Sequence, residues 1–178
     1  MGGFRRPRRA DHLTGCGVSA VYASTARRAV ETAESLADVL RVPVHRTSRL
    51  LEYDIGELEG QPIPAGDDQC LAVLRQWVLE ERLDARLPGG DSGLEVRQRF
   101  EAAVTDIAAA HEGGAAAIVG HVGTMTVGLL GLCRNLTAND VWGHPLPHAR
   151  PLTVTCDDGT WRCSPWPQRR PVTGPAGR

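Results

Sequence analysis

The sequence predicts an α/β fold on a mostly parallel sheet, and three stretches carry that prediction. Residues 18 to 23, VSAVYA, are strand formers that run straight into a helical pattern with Ala29, Ala33, Leu36, Ala37 and Leu40 on one stripe. Residues 115 to 119, AAAIV, are the short all-apolar run of a buried parallel strand, after which Thr124 can cap a second helix running to about Cys133. Between them Ser92 and Glu95 form an SxxE capping box that opens a long helix. Strands that alternate with helices pair in parallel through helical crossovers.

Composition bounds the rest. A chain of 178 residues with 42% apolar content is long enough for one domain with a real core and too short for two. Its formal charge of −1 gives no global pull toward nucleic acid or an anionic membrane. All 20 basic residues are arginine, so an arginine run carries less information here than it would elsewhere. The five cysteines, Cys16, Cys70, Cys133, Cys156 and Cys163, are odd in number and contain no CxxC pair. Neither a disulfide framework nor a zinc knuckle is indicated, which fits a reducing, cytoplasmic setting. No apolar run approaches the length of a membrane span, and the arginine-rich start lacks a signal core.

Taken in order, residues 1 to 12 show neither strand nor helix period, with Pro7 among four arginines, and are expected to be a disordered basic segment. The domain is expected over 13 to 166. Gly15 and Gly17 precede the first strand, and Ser24 or Thr25 can cap the helix after it. Val42, Val44 and Arg46 give a short edge-like strand interrupted by Pro43. Residues 49 to 60, RLLEYDIGELEG, lack period and read as a structured loop that turns at Gly56 and Gly60. A Pro/Gly/Asp loop leads to a helix over 70 to 83 with Cys70, Leu74, Trp77 and Val78 on one face. After LPGGDS, the capping-box helix carries Val96, Phe100, Ala103, Val104 and Ile107 and stops at Gly113 and Gly114. At the other end Leu152, Val154 and Cys156 alternate, Asp158-Gly159 is a two-residue turn signal, and Trp161 and Cys163 alternate on the return: a hairpin at the sheet margin. Residues 167 to 178 have the composition of a disordered tail, and His144 and His148 lack metal-ligand spacing.

Two side chains stand where open α/β sheets place ligands. Arg28 falls in the first turn of its helix, where free N–H groups and the helix dipole favour an anion, and a guanidinium there grips two oxygens of one phosphate. His121 ends the AAAIV strand between Gly120 and Gly123. Both groups end parallel strands, so both face one edge of one sheet.

The wording around them resembles the histidine phosphatase superfamily, the phosphoglycerate-mutase-like group. SxxxRAxxTAE at Ser24, Arg28, Ala29, Thr32, Ala33 and Glu34 is similar to that family's second signature block. LxExxxGxxEG at 50 to 60 is similar to the segment whose first glutamate, here Glu52, serves as proton donor. LPGGDS with the later Arg99 resembles the PGGES…R block, with Asp91 for the usual glutamate and Arg99 as a structural ion-pair partner. The segment around His121 is similar to VxHG, although this chain reads HVG. The four blocks occur in family order over 18 to 166. The resemblance implies a three-layer α/β/α sandwich and a phosphomonoesterase that works through a phosphohistidine without metal or organic cofactor. It also implies a small phosphorylated metabolite as substrate, Arg28 binding its phosphate, His121 donating to the phosphate oxygens and Glu52 protonating the leaving group. The short insert between the Glu52 block and the PGGDS loop favours a small phosphatase over a true mutase.

One block has no match. The family opens with a strand ending in Arg-His-Gly, whose histidine attacks phosphorus, and no such triplet occurs in this sequence. The first strand is therefore expected to be missing from the sheet, leaving an open edge through which copies can associate. Two readings stand: a chain that is the downstream part of a longer gene product and inactive alone, and a catalytically dead relative that binds a phospholigand or acts as a scaffold. A nucleic-acid role would rest on the Arg5 to Arg9 run alone.

Overall fold

The computed structural model describes Leu13 and residues 15–62, 68–148 and 150–167. The expected disordered segment at 1 to 12, all but the first residue of the one at 167 to 178, and part of the Pro/Gly/Asp loop lie outside the described residues.

Strand β1 (Val18–Ala23) leads into helix α1 (Arg27–Leu40), which returns the chain to β2 (Val44–Arg46). Helices α2 (Gln69–Val78) and α3 (Gly93–Ala110) precede β3 (Ala115–Val119) and helix α4 (Val122–Leu132). A short helix α5 (Ala138–Val141) and the hairpin β4 (Val154–Asp157) and β5 (Thr160–Cys163) complete the order. The main sheet runs β2-β1-β3 with both pairings parallel. In its register Val21 faces Val44 on one side and Ala117 on the other.

Helices cover both faces of this sheet. On one face Val21, Ala23, Val44, Ala117 and Val119 pack against Ala33 and Ala37 of α1. An alanine stripe lets that helix lie close, which is why so small a cluster is almost dry. The other face carries the larger core, with Leu50, Trp77, Val96, Phe100, Val104 and Val127 from α2, α3, α4 and the loop before them. The result is the three-layer α/β/α arrangement.

The capping box forms as the spacing predicts: the Ser92 hydroxyl accepts from the Glu95 N–H, and the Glu95 carboxylate accepts from the Ser92 N–H. Asp158 and Gly159 both take left-handed backbone (φ 48° and 75°), the requirement of the tight turn between β4 and β5. Where α3 crosses α4, Gly128 lies under the Phe100 ring, and a Cβ there would fall 2.1 Å from a ring carbon.

Several expectations shift. The AAAIV strand is half-buried at every residue, because β3 pairs only with β1 and lies at the edge of the described sheet. The hairpin forms a two-stranded sheet of its own. It is tied to the end of α4 by the Arg134 N–H donating to the Trp161 carbonyl (2.9 Å) and by the Asn135 side chain. Helix α2 ends at Val78, five residues early, and buries Val73 rather than Leu74; Asp68 caps it by accepting from the Leu71 N–H. Helix α5, with a Thr137–Asp140 capping box, was too short to show a period. Among the described residues no helix is long and apolar enough to cross a membrane.

Candidate active site

The parallel register sets the site. Ala23 pairs with Val119, so the chain leaves both strands at the same edge, and the Ser24 N–H still donates to the Val119 carbonyl (3.1 Å). Two residues on from Val119, His121 is 6% exposed, and its Nε2 lies 2.7 Å from the buried Ser24 Oγ. Arg28, one residue into α1, reaches back so that its Nε and Nη2 lie 3.3 and 2.9 Å from His121 Nδ1. A guanidinium only donates, so Nδ1 accepts and Nε2 carries the proton that His121 gives to Ser24. Burial first, then the Arg28 charge, pushes the imidazole below its ordinary value, with Glu52 opposing and Arg99 adding a smaller push. The ring is therefore neutral at pH ~7.

The structure answers the capping expectations differently. Helix α1 has no side-chain cap, because its cap position falls on Ala26; the Ser24 hydroxyl, bonded to His121, accepts only a long bond from the Ala26 N–H (3.3 Å). Helix α4 begins after His121, again with no local cap, and Thr124 lies inside it. Its free N–H groups are met by Glu52: one carboxylate oxygen accepts from Gly123 (3.0 Å) and the other from Thr124 (2.7 Å). The Tyr53 N–H donates to the second oxygen as well (3.2 Å). A carboxylate from a distant loop thus completes the helix end, where N–H groups and dipole favour negative charge.

Gly123 makes this approach possible. A Cβ there would sit 2.4 Å from the Tyr53 ring and 2.9 Å from a Glu52 oxygen, so the glycine two residues after His121 is a contact surface for the loop. Tyr53 in turn stands edge-on to Trp77 with centroids 5.1 Å apart, and burial, then Cys70, then Glu52 push its hydroxyl well above the usual range.

Arg99 holds the loop from below. One guanidinium nitrogen donates to the Leu51 carbonyl (2.7 Å) and the Arg49 carbonyl (3.2 Å). The other donates to the Glu52 carbonyl (3.2 Å) and to Asp91 (3.0 Å). Asp91 also accepts from the Asp54 N–H (3.0 Å), and the Thr124 hydroxyl donates to the Leu51 carbonyl (2.9 Å). Arg99 makes the ion pair its sequence block suggested and adds a grip on three carbonyls that no spacing rule reveals.

Arg28 and His121 are thus in contact, and Glu52 sits on the first turn of the helix that His121 opens. Sequence reasoning gave Thr124 no role but a cap and Ser24 none but a cap and a place in the signature block, and it missed Tyr53 altogether. Among the described residues, no group of three or more His, Cys, Asp or Glu is placed to hold a metal ion.

The ends of two parallel strands thus present a serine, an arginine and a buried histidine, with a carboxylate beside them, on an α/β domain. The chain belongs to the histidine phosphatase superfamily (branch 1), whose model matches residues 6–168. It is 30% identical over 126 residues to the probable phosphoglycerate mutase GpmB of Proteus mirabilis (strain HI4320), an alignment covering 69% of this chain and 58% of that one. The chain thus spans little more than half the length of this relative. Among solved structures it is similar to Bacillus stearothermophilus YhfR, with a TM-score of 0.73, 24% identity and coverage of 92% and 80% of the two chains. It is also similar to a mycobacterial glucosyl-3-phosphoglycerate phosphatase, with a TM-score of 0.68, 23% identity and coverage of 91% and 83%. These two structures share the fold.

Proposed function

We propose that the Ser24, Arg28 and His121 edge binds the phosphoryl group of a small phosphomonoester, and that this is the phosphate site of a phosphatase. The contact between the Arg28 guanidinium and the buried His121 imidazole carries the reading. It sets a forked donor and a ring with an exchangeable proton at one point, at the end of two parallel strands. In the hydrolytic route Arg28 grips the phosphoryl oxygens, His121 stabilises the charge that builds on them, and Glu52 protonates the leaving alkoxide. Phosphatase relatives such as the glucosyl-3-phosphoglycerate enzyme lend the substrate class its support.

The route also needs an imidazole to attack phosphorus and carry the phosphoryl group to water. The sequence holds no Arg-His-Gly triplet to supply one. The 178-residue chain is therefore expected to bind anions weakly and to turn over negligibly. Phosphate or vanadate should raise its melting temperature, and Arg28→Ala should abolish that rise. Measured p-nitrophenyl phosphate hydrolysis should stay at background. Hydrolysis well above background that is lost in His121→Ala would show that the attacking group is present after all.

A second reading has its own observation. Glu52 accepts three backbone N–H bonds and serves as the cap of α4, a structural task that needs no chemistry. A phospholigand-binding protein without turnover would keep Glu52 for that purpose. Adding an upstream segment that ends in Arg-His-Gly separates the two: activity restored supports the phosphatase, and binding without activity supports the binding protein.

A further inference from the structure

The scattered cysteines do not stay scattered. Cys133, which ends α4, and Cys163, the last residue of β5, are both almost fully buried, at 3% and 7% exposure, in one apolar core. Backbone bonds on either side fix their approach. The Arg134 N–H donates to the Trp161 carbonyl at 2.9 Å. Asn135 brackets Cys163, donating to its carbonyl (2.8 Å) and accepting from its N–H (3.0 Å). Within that frame the two thiols, buried in the same cluster, act on each other electrostatically. The remaining thiols lie apart, Cys16 and Cys156 exposed and Cys70 half-buried.

We propose that Cys133 and Cys163 are a redox-convertible pair: a buried dithiol that a small-molecule disulfide of the glutathione type oxidises to one intramolecular disulfide, stapling the β4–β5 hairpin to the end of α4. This site is separate from the phosphate edge and does not depend on its assignment.

The exchange balances in two steps. Opening of the hairpin exposes the pair, and the Cys163 thiolate attacks one sulfur of the external disulfide; that S–S bond breaks and one small thiol leaves with a proton. The Cys133 thiolate then attacks the Cys163 sulfur and displaces the second small thiol. Two protein thiols lose two electrons and two protons, and one small disulfide becomes two thiols. The balance is the same if Cys133 attacks first. Burial, and then its neighbour, push the Cys133 thiol up to about 12, and burial raises Cys163 too, so the closed form exchanges slowly and hairpin opening sets the rate. Once made, the bond closes the loop through α5 and limits the freedom of the unfolded chain.

The test uses the full chain with Cys16, Cys70 and Cys156 all changed to Ser, so that the pair itself is untouched. Incubation with oxidised glutathione, followed by a denaturing quench with an alkylating agent and peptide mapping, should yield a Cys133–Cys163 cross-linked peptide lighter by two hydrogens. The melting temperature should rise by several degrees and fall back on reduction. In the unmodified chain the same cross-link should appear while Cys16 and Cys156 carry only glutathione. Cys133 and Cys163 both remaining alkylatable, at oxidant levels that modify Cys16 and Cys156 in the unmodified chain, would overturn the proposal. So would cross-linking with no change in melting temperature.

Discussion

His121 folds as a neutral ring, and that has a sign. Its folded value lies below the ordinary 6.5, so under mildly acid conditions the unfolded chain binds the proton that the folded chain refuses. Stability from this residue is full above about pH 6.5 and drains away as pH falls toward the folded value. His121→Gln, which keeps an amide to meet Ser24, should flatten the fall in melting temperature between about pH 7 and 5. An equally steep fall in the variant would show that other groups govern it. At this scale Arg28 and His121 were legible because each sits at a strand–helix junction, a place defined by local pattern. Ser24 and Thr124 were misread because capping is what a hydroxyl beside a helix start usually does. Only the partner strand, nearly a hundred residues away, reassigns Ser24 to an imidazole. Gly123 was unreadable for a similar reason, since its need for no side chain is set by Tyr53 and Glu52 on another loop.

The α3–α4 crossing makes the sharpest statement about elements. A methyl on Gly128 would meet the Phe100 ring, which is 2% exposed and has nowhere to go, at 2.1 Å. Gly128→Ala should cost about 1–3 kcal/mol by overpacking. A methyl on Gly131 would meet the Arg97 guanidinium at the same distance, but that group is the end of a flexible side chain and can swing into solvent. Gly131→Ala should therefore cost less than Gly128→Ala in urea denaturation; the reverse order would mean that the helix pair pivots about Arg97 rather than Phe100. Most elements were legible at this scale: the SxxE box, the alanine stripe and the Asp-Gly turn each encode their geometry locally. The burial of AAAIV was not, because a strand's composition says that it can be interior and only its neighbours decide whether it is.

For the molecule as a whole, the two edges of the main sheet differ. The β2 edge carries His45 and Arg46, both exposed, next to Pro43, features that discourage another strand from pairing. The β3 edge offers five apolar residues, half-buried and without a charge. Concentration-dependent self-association through β3 is expected, and Ala115→Lys should weaken it. Sedimentation velocity checks this: a chain that stays monomeric at every accessible concentration and melts sharply would mean that the edge is closed in solution. The strand order β2-β1-β3 lay beyond the sequence, because pairing partners are chosen by packing of α1 and α3 and not by the strands' own letters.

The bond between Ser24 and His121 joins residues 97 positions apart. On a ribosome adding ~5–20 residues per second, about 5–20 s pass between the making of one partner and the other. For most of that interval the arginine-bearing helix has been made while β1 has no β3 to lie against, and its apolar residues are available to a chaperone. On the proposed assignment, anion binding begins only once the second half of the domain has been made. In a cell-free translation stalled at successive lengths, the proposed phosphate clamp would act as a clock hand that moves only once α4 has left the exit tunnel.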